Sequence, residues 1–153
     1  MLPNKFVKAD AHNLPFKDKS FDIAVCFEVL EHCKRPELVL QEIARCTKNI
    51  LIMSVPDCDL NNKLRKYDLA LAHWTDPTHC NFFTKESICK LLVKHNFKII
   101  HVGGCYKIHT GDYFWNSIKL PLLVRKIGAR ATRKLRLFEE YFSSILIIST
   151  LCK

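Results

Sequence analysis

The chain has 153 residues, of which 48% are hydrophobic and 25% are charged, and its formal net charge is +9. This balance predicts one globular domain with its own apolar core and argues against a disordered chain. The longest apolar runs, at residues 50–53 and 145–148, fall far short of the roughly 20 residues that cross a bilayer, and the N-terminus has no signal-peptide pattern, so we expect a cytoplasmic protein without a transmembrane segment.

The first half of the chain is predicted to alternate between strands and helices. A weak alternation predicts a short strand over Lys5–Ala9. Near-continuous apolar runs at Phe21–Phe27 and Asn49–Val55 are typical of strands buried on both faces. Between these two strands, Pro36 opens a helix whose apolar residues follow helical spacing nearly as far as Lys48.

The second half contains one sharply bounded helix. Thr84 is a good N-cap, and Asn96 suits the left-handed position that ends a helix. A strand then follows over Phe97–Val102 and is expected to end at Gly103 and Gly104. The remaining predictions are a short helix at Leu64–Ala72, an amphipathic helix between Ile118 and Phe138, and a last buried strand at Ser144–Leu151.

This order of elements predicts a single α/β domain over residues 1–153, with a mostly parallel sheet covered by helices. Residues 106–142 are expected to form a basic insertion before the last strand. Ligands bind such sheets at the carboxyl ends of the strands. The first candidates for a binding site are therefore the residues directly after Ala9, Cys26 and Ser54.

The eight cysteines include no CxxC pair, and most of them lie in apolar runs. A secreted disulfide scaffold is shorter and less apolar, and zinc sites need clustered ligands. We therefore expect reduced thiols that fill the core.

The positive charge is concentrated in the second part of the chain. Residues 1–60 hold 8 Lys and Arg against 9 Asp and Glu, whereas residues 61–153 hold 16 against 6. Seven of these cations lie between Lys119 and Arg136. This asymmetry favours an anionic partner for residues 119–136, such as a nucleic acid, a phosphorylated substrate or a membrane surface. The alternative is a basic face that only contacts water.

Residues 9–57, ADAHNLPFKDKSFDIAVCFEVLEHCKRPELVLQEIARCTKNILIMSVPD, carry a set of motifs in a specific order. They resemble the central part of the Rossmann-like, class I S-adenosylmethionine-dependent methyltransferases, most closely the type 11 and type 12 groups. The later THCNFFTKESICKLLVKHNF resembles the helix-to-strand passage of the same family, although Asn96 stands where many members have glycine. The motifs that carry the resemblance are an acidic residue after a strand (Asp10), LPF (Leu14–Phe16), FD (Phe21–Asp22), LEH (Leu30–His32) and EIAR (Glu42–Arg45).

The resemblance implies S-adenosylmethionine as the cofactor and assigns residues to it. Asp10 is placed to accept a hydrogen bond from the adenine amino group, and the backbone of Ala11 to contact the ring edge. Cys26, Phe27 and Glu28 lie where the fourth strand of the family passes the methionine part of the cofactor. Two alternatives stay open: Asp10 caps the following turn, and Phe27 is a core residue.

The same resemblance places the methyl-transfer chemistry on Glu31 and His32. The spacing ExxEH puts Glu28, Glu31 and His32 on one turn if a helix starts there. Some relatives with this pattern hold a divalent metal such as Mg²⁺, and His79 is placed to join such a site. In metal-free relatives the histidine is a general base or packs in the core. The sequence favours the metal-free alternative and leaves the identity of any metal open.

The glycine-rich loop of the family is missing from this sequence. The four glycines lie at positions 103, 104, 111 and 128, so the first two strand–helix units of the usual sheet are expected to be absent. The uncovered sheet edge then calls for a partner chain that completes the sheet. Three explanations remain open: a fragment of a longer gene, which we favour, a split enzyme, or a degenerate relative that binds a protein or nucleic acid through its basic half. The methyl acceptor, a small molecule or a nucleic acid, is not predicted.

Overall fold

The computed structural model describes residues 6–60, 76–137 and 140–152. No helix in these ranges is long and apolar enough to cross a membrane. The strands are β1 (Phe21–Phe27), β2 (Thr47–Pro56), β3 (Phe97–His109) and β4 (Glu140–Leu151). The helices described over their full length are α1 (Pro36–Cys46), α2 (Lys85–Lys94), α3 (Thr110–Ser117) and α4 (Leu122–Lys134).

The four strands form one sheet in the order β1-β2-β4-β3. β1 pairs with β2 in parallel, whereas β4 is antiparallel to both β2 and β3. β1, β2 and β3 therefore point in one direction, and their carboxyl ends lie at the same edge as the start of β4. The predicted α/β sheet with flanking helices is confirmed. Its one reversed strand was not predicted, because an apolar run does not reveal the direction of a strand.

The apolar core is built around β2, which has a neighbour on each side. Its Leu51, Met53 and Val55 are completely buried. The inward faces of α1 and α2 pack into the same core, as their helical periodicity predicts. The other buried core residues of these helices and of the flanking strands include Val39, Leu40, Ile43, Ile88, Leu92, Phe97, Ile145 and Ile147.

The helix boundaries follow the local signals that predicted them. Pro36 is the first residue of α1. The side chain of Thr84 accepts a hydrogen bond from the backbone N–H of Ser87, and the hydroxyl of Ser87 accepts one from the backbone N–H of Thr84. This reciprocal capping box starts α2. Asn96 has a φ of 65°, which confirms the left-handed residue after the helix.

β1 is exposed on one face, although its continuous apolar run predicts a strand buried on both faces. Phe21, Ile23, Val25 and Phe27 alternate along the strand and are 42%, 52%, 59% and 46% exposed. They share one face of the sheet because successive side chains of a strand point to opposite sides. β1 is an edge strand, and the described residues leave this face uncovered.

Two further predictions differ from the structure, and a third is not tested by it. Residues 6–9 form no strand, since nothing in the described residues pairs with them. The helix predicted between Ile118 and Phe138 is shorter, because α4 begins after Pro121 and ends at Lys134. The helix predicted at Leu64–Ala72 lies outside the described residues.

Gly103 and Gly104 do not end β3, which continues to His109. A Cβ on Gly104 would lie 2.5 Å from the Cβ of Phe142, so the glycine leaves room for this ring on the neighbouring strand β4. Gly104 thus serves close packing between two strands, whereas a Cβ on Gly103 would meet the side chain of His101 on the same strand. Two consecutive glycines are equally typical of a turn, which explains why the strand was wrongly predicted to end there.

Arg45 of α1 holds the segment that precedes β1. Its guanidinium donates to the backbone carbonyls of Leu14 and Phe16 at 2.9 and 2.6 Å. It also pairs with Glu42 and Asp18 at 2.7 and 2.8 Å. The carboxylate of Glu42 accepts the backbone N–H of Leu14 as well, at 2.7 Å. The LPF and EIAR motifs therefore contact each other, and Arg45 of EIAR stabilises the conformation of LPF.

Replacing Arg45 with alanine is expected to lower the free energy of unfolding by about 2 kcal/mol, because the charged hydrogen bonds to two backbone carbonyls are lost. Urea denaturation measures this change. The control is Lys48→Ala, which removes the ion pair between Lys48 and Asp22 at 2.9 Å. Both partners are exposed there, so the expected loss is below about 0.5 kcal/mol. Equal losses in the two variants would contradict this role of Arg45.

The contribution of Arg45 is also expected to depend on pH. The hydrogen bond from Arg45 holds the pKa of Glu42 at about 2, below its usual value of 4.5. A depressed pKa in the folded state stabilises the fold fully above pH 4.5, and this stabilisation is lost as the pH falls towards 2. The difference between the native chain and Arg45→Ala should therefore shrink over this range. A constant difference would show that Glu42 does not share in the interaction.

Candidate active site

The candidate site lies where β1 ends, beside the carboxyl end of β2 and the start of β4. Glu28 has a φ of 50°, a left-handed conformation that turns the chain out of the strand. Its backbone N–H still donates to the carbonyl of Ser54 at 3.1 Å. The 3₁₀ turn Leu30–His32 follows directly. The structure thus places Glu28, Glu31 and His32 at one end of the sheet, as the sequence predicts.

The carboxylate of Glu28 binds two serines on neighbouring strands. Ser54 of β2 donates to Oε1 at 2.6 Å, and Ser144 of β4 donates to Oε2 at 3.2 Å. Both oxygens of Glu28 are therefore held at the ends of the strands. Glu28 ties three strands together and does not join the cluster that Glu31 and His32 form.

Glu31 is almost completely buried, with 1% of its surface exposed. Its backbone carbonyl accepts hydrogen bonds from the N–H groups of Cys80 and Asn81 at 2.7 and 3.1 Å. These bonds hold the loop that contains Cys80 and Asn81 against Glu31. Its side-chain Oε2 is buried without a hydrogen-bond partner among the described residues. Burial, with a smaller effect of the nearby Glu28, raises the pKa of Glu31 to about 7. Such an oxygen is suited to bind a proton or a cation.

His32 is oriented by a short chain of hydrogen bonds, named here the relay. Its Nδ1 lies 2.9 Å from Oγ1 of Thr78, and the same hydroxyl donates to Oδ1 of Asp76 at 2.6 Å. Because a hydroxyl has one hydrogen and Asp76 receives it, the bond to His32 requires a hydrogen on Nδ1. The relay therefore leaves a lone pair on Nε2 of neutral His32, and this nitrogen lies 3.9 Å from Oε1 of Glu31.

His79 completes a cluster with Glu31 and His32. Its ring packs edge-on against that of His32, with 4.5 Å between the centroids. One donor atom from each of the three residues lies within 4.8 Å of the others. Its Nε2 lies 3.7 Å from Oδ2 of Asp76, which therefore supports both histidines. Two imidazoles and a buried carboxylate oxygen without a partner form a donor set that fits a divalent transition metal.

Asp10 lies in a turn and is 69% exposed at its side chain. Its Oδ1 accepts the backbone N–H of His12 at 2.9 Å and contacts Nδ1 of His12 at 2.7 Å. These hydrogen bonds lower the pKa of Asp10. This is the turn-capping role that the sequence left open beside contact with adenine. Ala11 is partly buried against the core.

Cys26 and Phe27 lie on opposite faces of β1. Cys26 points into the core, where burial raises the pKa of its thiol to about 12, so it stays protonated. Phe27, 46% exposed, presents its ring to solvent rather than to the core. The alternative that Phe27 is a core residue does not hold among the described residues.

The sequence did not reveal the residues that orient the predicted ones. Ser54 and Ser144 hold Glu28, Thr78 and Asp76 hold His32, and Asn81 donates to the backbone carbonyl of Leu30 at 3.2 Å. The only local signal was the run DPTHCN, in which an Asp and a Thr precede His79. The serine contacts depend on strand neighbours that are far apart in the chain.

Comparisons with known proteins identify the family and the fold. The profile of a family described as a methyltransferase domain matches residues 2–102, while no curated protein gave a match. Solved structures with a similar fold include a SAM-dependent methyltransferase from Archaeoglobus fulgidus, with 19% identity and a TM-score of 0.60. Another is magnesium protoporphyrin IX methyltransferase from Synechocystis with bound SAH, with 16% identity and a TM-score of 0.56.

A third similar structure comes from the complex that contains the Haloferax volcanii Trm112 methyltransferase activator, with 14% identity and a TM-score of 0.57. The matches cover 97%, 96% and 95% of this chain, which spans 69%, 51% and 60% of the three structures. Likeness at this level of identity shows the fold, and the family profile covers about two thirds of the sequence. The chain therefore belongs to the methyltransferase-domain family and has the Rossmann-like fold of S-adenosylmethionine-dependent methyltransferases.

Proposed function

We propose that this chain takes part in methyl transfer from S-adenosylmethionine to a small-molecule or nucleic-acid acceptor. The observation that carries the proposal is the cluster of Glu31, His32 and His79 at the carboxyl end of β1, the edge at which sheets of this type bind ligands. Cys26 and Phe27 lead into this edge. Asp10 lies near it, since burial raises the pKa of Cys33 beside His32, and the charges of Glu31 and Asp10 raise it further. These residues are the proposed cofactor contacts, together with Ala11 and Glu28.

The chemistry we propose for this chain is positioning and proton removal. Methyl transfer needs the sulfonium and the acceptor atom close together and in line. The lone pair on Nε2 of His32 and the buried carboxyl of Glu31 face each other, so an acceptor hydroxyl or amine between them can pass its proton to one of them. Thr78 and Asp76 keep the ring of His32 turned for this role.

In the second form of the proposal, the same cluster of Glu31, His32 and His79 binds a divalent metal. The two imidazoles suit Mn²⁺, Co²⁺ or Zn²⁺ better than Mg²⁺, which prefers oxygen ligands. Such an ion would lower the pKa of an acceptor hydroxyl and orient it. In this form Nε2 of His32 is a ligand and not a base, so metal titration separates the two forms.

Cofactor binding tests the proposal directly. The purified chain is titrated by calorimetry with S-adenosylhomocysteine, and we expect a dissociation constant in the micromolar range. Asp10→Ala should weaken binding about tenfold through the lost hydrogen bond to adenine. Asp22→Ala is the matched control, since Asp22 is 73% exposed and lies at the opposite end of β1. No heat from a folded chain, or equal losses in both variants, would contradict the proposed cofactor contact.

A partner chain along β1 belongs to the same proposal. β1 is an edge strand with four alternating, exposed apolar side chains, and exposed strand edges are normally paired or covered. The similar Haloferax structure comes from a complex with a methyltransferase activator. Amide hydrogen exchange provides the test: a bound partner should protect β1. Unchanged exchange of β1 within a complex would rule out this surface.

A second candidate function is a non-catalytic module that keeps the fold and binds an anionic partner through residues 119–136. The seven cations of this segment favour it. A chain that binds the anionic partner but not S-adenosylhomocysteine would support this second function over the first.

A further inference from the structure

Residues 119–137, named here the basic segment, comprise α4 and its flanks. They contain seven Lys and Arg and no Asp or Glu. Among the described residues, only Arg133 of these cations forms an ion pair, with Asp112 of α3. Such an excess of positive charge attracts an anionic surface.

One side of α4 is packed against α3. Gly128 lies against the ring of Trp115, where a Cβ would come within 2.6 Å of its Cε2. The hydroxyl of the buried Thr132 accepts the indole N–H of Trp115 at 3.2 Å. Arg125 on the same side donates to the carbonyl of Asn116 at 3.4 Å. These contacts determine which face of α4 is turned outward.

The outward face of α4 is apolar as well as basic. Leu123 and Ile127 are one turn apart and are 69% and 58% exposed. Lys126, Arg130 and Lys134 also follow one another at steps of one turn and are all exposed. Further exposed aliphatic side chains lie on α4 and its flanks, namely Leu120, Leu122, Val124, Leu135 and Leu137.

We propose that the basic segment docks onto a membrane surface of anionic lipids. Helices of this kind lie in the plane of the interface, with apolar side chains in the acyl boundary and cations among the headgroups. A nucleic acid would use the cations, and its bases would stack on aromatic rings. It would leave the exposed leucines and isoleucine in water, which is why the observations favour a lipid surface. The proposal does not depend on methyl transfer.

Vesicle flotation of the full chain provides the test, with phosphatidylcholine alone or with phosphatidylserine as about a third of the lipid. We expect binding to the anionic vesicles at least about tenfold stronger than to the neutral ones, and weaker binding at high salt. Two double variants separate the contribution of the cations from that of the apolar side chains. Lys126→Glu with Arg130→Glu removes charge, and Leu123→Ser with Ile127→Ser removes apolar surface. Each should reduce binding to anionic vesicles about tenfold or more.

The matched control lies on α2. Lys90→Glu with Val93→Ser replaces a cation and an apolar residue that are 76% and 61% exposed, and it should leave vesicle binding unchanged. Circular dichroism checks that all variants fold. Absence of binding to anionic vesicles would overturn the proposal, as would full binding by Leu123→Ser with Ile127→Ser. Stronger binding to single-stranded RNA at equal phosphate concentration would also overturn it and assign the cations to nucleic acid.

Discussion

Replacing Glu31 with glutamine is expected to weaken the binding of Mn²⁺ by at least about a hundredfold. The carboxylate is the only anionic donor of the cluster with His32 and His79, and its buried Oε2 has no other partner among the described residues. Calorimetry with Mn²⁺ alone, without cofactor or acceptor, measures the change.

Glu28→Gln is the matched control for metal binding, because it removes a carboxylate of the same strand end. Glu28 binds Ser54 and Ser144 instead of facing the cluster, so the affinity for Mn²⁺ should change by less than about threefold. Loss of Mn²⁺ binding in Glu28→Gln but not in Glu31→Gln would show that the cluster is assigned to the wrong carboxylate. Absence of Mn²⁺ binding by the native chain would exclude the metal-bound form and leave the form in which His32 or Glu31 accepts the proton.

The same Glu31→Gln variant should be more stable than the native chain when metal is removed by a chelator. Burial, with a smaller effect of Glu28, raises the pKa of Glu31 to about 7 from its usual 4.5. The folded state thus holds this proton more tightly than the unfolded state, so native stability falls as the pH rises from 4.5 through 7. Glutamine carries no charge and escapes this loss.

We therefore expect Glu31→Gln to raise the free energy of unfolding by about 2 kcal/mol at pH 8, with little difference below pH 4.5. Urea denaturation at both pH values measures it. A variant that is less stable at pH 8 would contradict the burial argument, whatever its affinity for metal.

Replacing Thr78 with valine is expected to change the protonation pattern of His32. The hydroxyl of Thr78 accepts from Nδ1 of His32 and donates to Asp76. Without it, neutral His32 should shift towards the form with hydrogen on Nε2, which removes the lone pair that faces Glu31. Nitrogen chemical shifts of the imidazole measure this change, and affinity for Mn²⁺ should fall about tenfold.

Thr78→Ser keeps the hydroxyl and should retain the native pattern of His32. The control for a lost threonine hydroxyl is Thr150→Val, where the native side chain donates to the carbonyl of Asn49 at 2.9 Å on β4. It should leave His32 unchanged. Unaltered nitrogen shifts in Thr78→Val would show that Thr78 does not determine the form of His32.

Much of the fold follows from local patterns. The apolar runs predict β1 and β2, Pro36 predicts the start of α1, and Thr84 and Asn96 predict the ends of α2. These predictions are confirmed because each depends on residues a few positions apart, whose conformational preferences act within one turn or strand. Gly103 and Gly104 show the limit, since one local signal fits both a turn and close packing between strands.

The candidate site was likewise predictable only in part. Glu28, Glu31 and His32 share a short stretch of sequence, so their common position at the end of β1 was predictable, and so was the resemblance to the methyltransferase family. Their roles were not, because the direction and place of β4 bring Ser144 to Glu28 across 116 positions. The loop that contains Thr78 covers Glu31, and the hydroxyl of Thr78 orients the ring of His32.

Most of the elements, the family and the candidate site residues could thus be predicted from the sequence, because these follow from short-range pattern and composition. By contrast, the three-dimensional packing was needed to show which carboxylate is buried, which face of β1 stays exposed and which side of α4 is turned outward. Burial and exposure result from packing between distant segments, and no local pattern contains that information.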